Sequence, residues 1–292
     1  MAVAEVVAAA NNRDVTGESP LWSPAEAALY WVDIRRPAVW RLDPATGAQA
    51  SWTMPCEVGS IGLRARGGLI VALRSGLHAL DTATGALGLL VDPEPRRSAN
   101  RLNDGKVDPA GRFWVGTVQD PDPQPVGRLY RIGGDLAVTA VADGIAMPNA
   151  LAFSRDGRRM YFADSFTRRI DVYDFDRATG AVANRRTFAT VPDGQGLPDG
   201  ATVDAEDCLW NARIGGWGID RYDPDGRLMR TIRLPTERPT SVGFGGPDLA
   251  TLYITTGTAR LDAAALAAQP LAGALLALDP GVRGLAEPAF VG

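Results

Sequence analysis

Short stretches in which apolar and polar residues alternate with a period of two recur along the whole chain, and helical periodicity is scarce. Six of them resemble one another: Leu29-Tyr30-Trp31-Val32-Asp33, Leu69-Ile70-Val71-Ala72-Leu73, Phe113-Trp114-Val115-Gly116-Thr117, Met160-Tyr161-Phe162-Ala163-Asp164, Leu209-Trp210-Asn211-Ala212-Arg213 and Leu252-Tyr253-Ile254-Thr255-Thr256. Successive copies lie roughly 40 to 50 residues apart, the period of one four-stranded propeller blade. Each follows a turn and an earlier apolar strand; Asp108-Pro109-Ala110-Gly111 and Ser154-Arg155-Asp156-Gly157 are such turns, built from residues that favour turn conformations. A third alternating strand often comes next, as in Val39-Trp40-Arg41-Leu42 and Ile170-Asp171-Val172-Tyr173. The pattern predicts an all-β fold, a six-bladed β-propeller with a central metal site, occupying 1–292 as one domain. Only the stretch starting at Leu261 reads as helical, a short insertion in a loop of the last blade. A row of blades exposes sheet edges unless the ring closes. The apolar stretch 3–9, ahead of the first inner strand, is therefore expected to complete the last blade beside the C-terminal strands.

Composition narrows the function. A chain of 292 residues buries a sizeable core without disulfides, and Cys56 and Cys208 are too sparse for a disulfide framework. The N-terminus has no basic region, Glu5 interrupts its apolar stretch, and no run approaches bilayer length. A cytoplasmic protein without a membrane partner is expected. Basic residues are spread along a chain of net charge −4, so nucleic acid is not an expected partner either. His78 is the only histidine, and any Ser–His–Asp or Cys–His chemistry would have to run through it. It sits in an outer-strand pattern, Gly76-Leu77-His78-Ala79-Leu80, and reads as structural. Trp217, after Gly215-Gly216 in a loop, is expected at the mouth of a pocket.

Chemistry emerges when the repeats are aligned. About a dozen residues before each second strand, at the start of the innermost strand, stand Glu18, Ser60, Asn103, Asn149, Asp199 and Ser241. Inner strands line the channel of a propeller, so these positions form a ring about the axis. Two carboxylates and two amides there make a set of hard oxygen ligands. Crowded carboxylates repel one another and are costly to desolvate, and a divalent cation relieves both effects. Oxygen ligation favours Ca²⁺, Mg²⁺ or Mn²⁺, and Zn²⁺ also accepts carboxylate oxygen. Asn, Asp and Gly also begin strands simply as turn formers; four such residues at one repeat-equivalent position favour the metal reading.

The same residues resemble the gluconolactonase family that includes regucalcin, also called senescence marker protein. The resemblance spans nearly the whole chain, through Gly17-Glu18-Ser19-Pro20-Leu21-Trp22, Asn100-Arg101-Leu102-Asn103-Asp104-Gly105, Pro148-Asn149-Ala150-Leu151, Leu197-Pro198-Asp199-Gly200 and Phe244-Gly245-Gly246. It implies a metal held by Glu18, Asn149 and Asp199, substrate contacts from Arg101 and Asn103, and hydrolysis of a small-molecule sugar lactone. Where the family carries an acidic pair after its Gly-Thr-Met segment, this chain has Gly116-Thr117-Val118-Gln119-Asp120-Pro121, so that match is expected to be lost to a Pro-rich loop and the substrate rim to differ.

Lactone hydrolysis needs a polarised carbonyl and an activated water, and a divalent ion with open positions serves both. Asp199 is the candidate general base, and Arg101 a candidate donor to sugar hydroxyls or the developing oxyanion. Asp104 either orients Asn103 or Arg101 or shapes the turn. Two other functions use the same ring: a metal-dependent esterase or organophosphate hydrolase, which wants a more apolar pocket, and a non-catalytic calcium-binding propeller, which predicts a saturated coordination sphere.

Overall fold

A computed structural model describes residues 5–292 and contains six sheets, antiparallel except for one short added strand. Their inner strands are Gly17–Ser23, Val58–Arg64, Asn100–Val107, Pro148–Phe153, Leu197–Val203 and Pro239–Gly245; the blades are numbered 1 to 6 in that order. Each inner strand touches the inner strands of both neighbouring blades, and blade 6 meets blade 1 to close a six-bladed β-propeller. The one α-helix among the described residues, Ala263–Ala268, lies in a loop of blade 6 where the helical pattern placed it. It has no buried residue and adds nothing to the core.

Period-two alternation explains the packing. In the second strand of blade 1, Ala28–Asp33, Leu29 and Trp31 face blade 6, while Ala28, Tyr30 and Val32 face blade 2. In blade 2, Leu69 and Val71 turn back to blade 1 and Ile70 and Ala72 go forward to blade 3. Every sheet therefore has two apolar faces, and six clusters of buried side chains fill the six gaps between neighbouring blades. Sheet-on-sheet burial of this kind, at about 25 cal/mol per Å² of apolar surface, is the main stabilising contribution.

The buried tryptophans need partners for their indole N–H. Trp31, Trp114 and Trp210 find them in buried carboxylates: Asp14 at 2.9 Å, Asp108 at 2.9 Å and Asp204 at 2.8 Å. Asp108 and Asp204 also shape the turn between first and second strands, accepting backbone N–H groups from Ala110 and Arg112 and from Glu206 and Cys208. The turn signals in the sequence thus mark a recurrent Asp–Trp anchor as well as a chain reversal.

The ring closes as expected. Val7–Ala10 pairs antiparallel with Leu275–Leu278 of blade 6; of the stretch 3–9, Val3 and Ala4 lie outside the described residues. One element was not foreseen. Ala289–Phe290 pairs parallel with the inner strand of blade 2, through Ala289 opposite Leu63. On its way there the C-terminal segment meets blade 5 at Ala205 and blade 6 at Leu249, and Glu287 forms an ion pair with Lys106 at 2.7 Å. Those partners lie at the far ends of the inner strands or in the turns that follow them, so the segment crosses the end of the channel opposite the ring of oxygen ligands.

Candidate active site

All six inner strands carry an irregularity in register where the ligand-type residues sit, between Glu18 and Leu21, Asn149 and Ala152, Pro198 and Ala201, and at the matching places in the other blades. Bulges re-aim side chains and recur beside functional sites. In two blades the backbone goes further. Ser19 and Ala150, directly after Glu18 and Asn149, both adopt the left-handed conformation, with φ of 55° and 56°. Residues with a Cβ are unfavourable there, and such strain persists only where the surroundings enforce it. Part of that enforcement is visible. Asp33, at the end of the second strand of blade 1, accepts N–H groups from Val15 and Thr16 on the segment entering the Glu18 strand. Asp164 does the same in blade 4 for Ala146 and Met147, ahead of Asn149.

Glu18, Arg101, Asn103, Asn149 and Asp199 all line one cavity of about 260 Å³ at this end of the channel. The structure thus brings together the five residues expected to hold the metal or face the substrate. Asn149 Nδ2 donates to Ser165 Oγ at 2.8 Å, and Ser165 donates in turn to Pro198 O at 2.7 Å. That chain fixes the amide so that Oδ1 accepts from Asn103 Nδ2 at 3.1 Å. Asn103 Nδ2 also donates to Pro148 O at 2.8 Å, and its Oδ1 accepts from Arg101 Nη1 at 2.7 Å. Asn103 therefore links the arginine to the amide of blade 4.

Asp199 is buried and Glu18 and Asp104 are partly buried, and none of these three carboxyls has an ion pair among the described residues. Burial, then repulsion from Asp199 and Asp104, pushes Glu18 well above the usual carboxylate range. Burial and Asp104 do the same to Asp199, and burial raises Asp104 to about 6. Among the described residues no three His, Cys, Asp or Glu side chains converge as a ready metal cluster. The donor set is two carboxylates and the Asn149 amide oxygen. Hard oxygen donors with uncompensated negative charge fit a divalent cation of the calcium or magnesium type.

Several expectations need correction. Asp104 neither orients Asn103 or Arg101 nor merely shapes a turn: its Oδ2 accepts the N–H of Leu151 at 3.0 Å, tying the inner strands of blades 3 and 4 together. Asp120 is not lost in a Pro-rich loop. It is buried, accepts from Arg101 Nε at 2.5 Å and from Arg35 Nη2 at 2.8 Å, and is flanked by Arg74 at 3.6 Å. Burial works against its charge, yet the Arg35 and Arg101 guanidiniums hold its carboxyl below the usual range. Trp217 is not at the cavity; it lies under the Arg233 guanidinium, 5.6 Å from its ring centre. His78 is buried in the third strand of blade 2, its Nδ1 3.0 Å from Gly76 O, away from the cavity. Ser60 and Ser241 complete the ring without joining the cavity: Ser60 Oγ donates to Asn103 O at 2.8 Å, and Ser241 packs against Gly200.

Residues 16–258 match the family model described as the SMP-30/gluconolactonase/LRE-like region. The chain belongs to that family. Its relatives within the family include a 6-deoxy-6-sulfogluconolactonase of Pseudomonas putida, 41% identical over 95% of this chain and 96% of the relative. A pentonolactonase of Haloferax volcanii is 38% identical over 93% of each chain. Among solved structures, a regucalcin from Agrobacterium tumefaciens described as a calcium-binding protein superposes with a TM-score of 0.93 at 30% identity, covering 99% of this chain and 97% of that one. Family membership accounts for the spacing of the motifs. Of the cavity's four arginines, Arg35, Arg101, Arg238 and Arg260, only Arg101 was singled out in the sequence, through the resemblance; the other three lie in loops.

Proposed function

We propose that this chain is a divalent-metal-dependent lactonase that opens a sugar lactone to its aldonic acid. Glu18, Asn149 and Asp199 hold the ion, and Arg101 and Asn103 face the lactone. One observation carries the reading: the Glu18 and Asp199 carboxylates, without an ion pair among the described residues, share a cavity with the Asn149 amide, whose orientation Ser165 fixes. The named lactonases among the relatives support it.

A bound divalent ion supplies positive charge that polarises the lactone carbonyl and acidifies the attacking water. Asp199 takes the proton of that water as its oxygen bonds to the carbonyl carbon. When the ring C–O bond breaks, the same carboxyl returns the proton to the departing ring oxygen, which becomes the hydroxyl of the product acid. Asp120 and Asn103 use Nε and Nη1 of Arg101, so Nη2 has no hydrogen-bond partner among the described residues and is free for the sugar. A guanidinium locked on two sides offers its third donor without further ordering, the condition under which an oriented donor stabilises developing charge.

The test is a panel of five- and six-carbon aldonolactones assayed by acid release, corrected for spontaneous opening, with metal-stripped protein re-supplied with single metals. Turnover restored by one of Ca²⁺, Mn²⁺, Mg²⁺ or Zn²⁺ is expected. Asp199→Asn should retain part of the metal through its amide oxygen yet lose far more turnover than Arg101→Ala, and excess metal should not rescue it. Asp199→Asn with metal bound and near wild-type turnover would remove Asp199 as the base, and metal-independent opening would sink the reading.

A further inference from the structure

The cavity holds more positive charge than the proposed chemistry uses. Of its four arginines, Arg35 and Arg101 share the Asp120 carboxylate. Arg238 and Arg260 have no ion pair among the described residues. Arg238 is half-buried and Arg260 exposed, both just outside strands of blade 6, on the segment entering its inner strand and the loop leaving its second. They are close enough that Arg260 disfavours the charge on Arg238, which burial also opposes. The fields of Asp199 and the adjacent Glu237 act on Arg238 without an ion-pair contact.

Charge neutrality separates these arginines from the metal site. A divalent ion on Glu18 and Asp199 cancels those two carboxylates, and Asp120 is already shared by Arg35 and Arg101. Once Asp199 is engaged by the ion, its attraction on Arg238 is spent. Two guanidiniums then stand over one cavity, with repulsion between them that an anion of tetrahedral or planar oxygens relieves by accepting from both. A neutral sugar lactone offers them only hydroxyls.

We infer that Arg238 and Arg260 form an anion subsite, and that the substrate is an aldonolactone bearing a negatively charged group at the end of the sugar away from the lactone carbonyl. This inference rests on the lactonase reading. Sulfonate, phosphate and carboxylate share the chemistry that two guanidiniums recognise.

The test uses the metal-loaded protein and four lactones of the same sugar: the neutral glucono-lactone and its derivatives with a sulfonate, a phosphate or a carboxylate at C6. At least one anionic lactone should exceed the neutral one in kcat/KM, by an amount that shrinks as salt rises. Arg260→Gln, at an exposed position that leaves folding intact, should cut the anionic-to-neutral ratio about 10- to 100-fold, the range for losing a charged hydrogen bond. Arg238→Lys should restore more of the ratio than Arg238→Gln. Calorimetry of the product acids gives a readout independent of turnover: the C6-anionic aldonate should bind tighter than gluconate, and Arg260→Gln should erase the difference. Equal kcat/KM for neutral and anionic lactones, with both arginine variants lowering them alike, overturns the subsite and leaves the lactonase reading standing. No turnover of any lactone, with arginine-dependent binding of the anionic aldonate intact, keeps the subsite and removes the lactonase reading.

Discussion

Single side chains set the chemistry here chiefly through what surrounds them. Arg101 is the clearest case: it is buried, and Asp120 and Asn103 hold it. Asp120→Ala would leave that guanidinium enclosed without its counter-charge, and stability should drop by about 3 kcal/mol in denaturant titration, the usual cost of breaking a buried pair. Because Asp120 touches no proposed metal ligand, metal content should be retained while kcat/KM for a lactone falls, with partial recovery in Asp120→Glu. Retained activity in Asp120→Ala would show that Arg101 needs no positioning. Asp14 illustrates a different consequence of burial. Desolvation raises its carboxyl to about 7, against the Trp31 hydrogen bond and with help from Asp33, while Arg36 pulls the other way. The folded state then binds this proton more tightly than the unfolded chain, so the contribution is complete below pH 3.8 and disappears as pH rises through 7. Wild-type stability relative to Asp14→Asn, whose amide oxygen can still accept from Trp31, should fall by about 2 kcal/mol between pH 5 and pH 8. A constant difference across that range would mean that Asp14 titrates normally.

At the scale of strands, the site is a product of the bulged inner strand, and close approach between neighbouring inner strands keeps it in place. A Cβ on Gly200, next to Asp199, would lie 2.1 Å from Ser241 Oγ and 2.8 Å from its Cα. Gly200→Ala should therefore push the Asp199 strand off that of blade 6, at a cost of about 1–3 kcal/mol by overpacking. Affinity for the metal should weaken as well, since the same displacement carries Asp199. Unchanged stability and metal binding in Gly200→Ala would mean that the two strands separate freely. The parts legible in the sequence were those that repeat. Period-two runs gave the blades, and a common offset from each second strand gave Glu18, Asn103, Asn149 and Asp199, because one strand geometry is used six times. The places of Asp120, Arg238 and Arg260 were not legible, since loops that differ from blade to blade bring Arg238 and Arg260 to the cavity and Asp120 to Arg101. Ser165 escaped, and Asp104 was given the wrong roles, for a related reason: their partners, Asn149, Pro198 and Leu151, lie on other strands or in neighbouring blades. The left-handed backbone at Ser19 and Ala150 also had no signal, as neither residue type favours it.

For the molecule as a whole, everything depends on closing a ring that no disulfide cross-links, the two cysteines being free. Blade 6 owes its outermost strand to the N-terminus: Val7–Ala10 covers the edge of Leu275–Leu278. Trp31 and Leu29 of blade 1 pack in the same cluster as Ala10, Leu275 and Tyr253, so the N-terminal strand belongs to the seam that binds the ring. The other end of the chain reaches across the channel to the inner strand of blade 2, so both termini hold the circle. Removing residues 1–10 should thus act at the seam. The loss of a few ladder hydrogen bonds, at about 1 kcal/mol each, and of the Ala10 packing predicts about 2–4 kcal/mol of destabilisation. It should also bare the edge of Leu275–Leu278, which offers unpaired N–H and C=O groups to a second chain. The truncated protein should unfold at lower denaturant concentration, still in one transition if the six blades act as a single domain, and should self-associate in sedimentation with increasing concentration. Truncated protein that stays monomeric with wild-type stability would mean that the ring is held by its inner strands alone. Loss of blade 6 in a separate, earlier transition would mean that the seam opens as an independent unit.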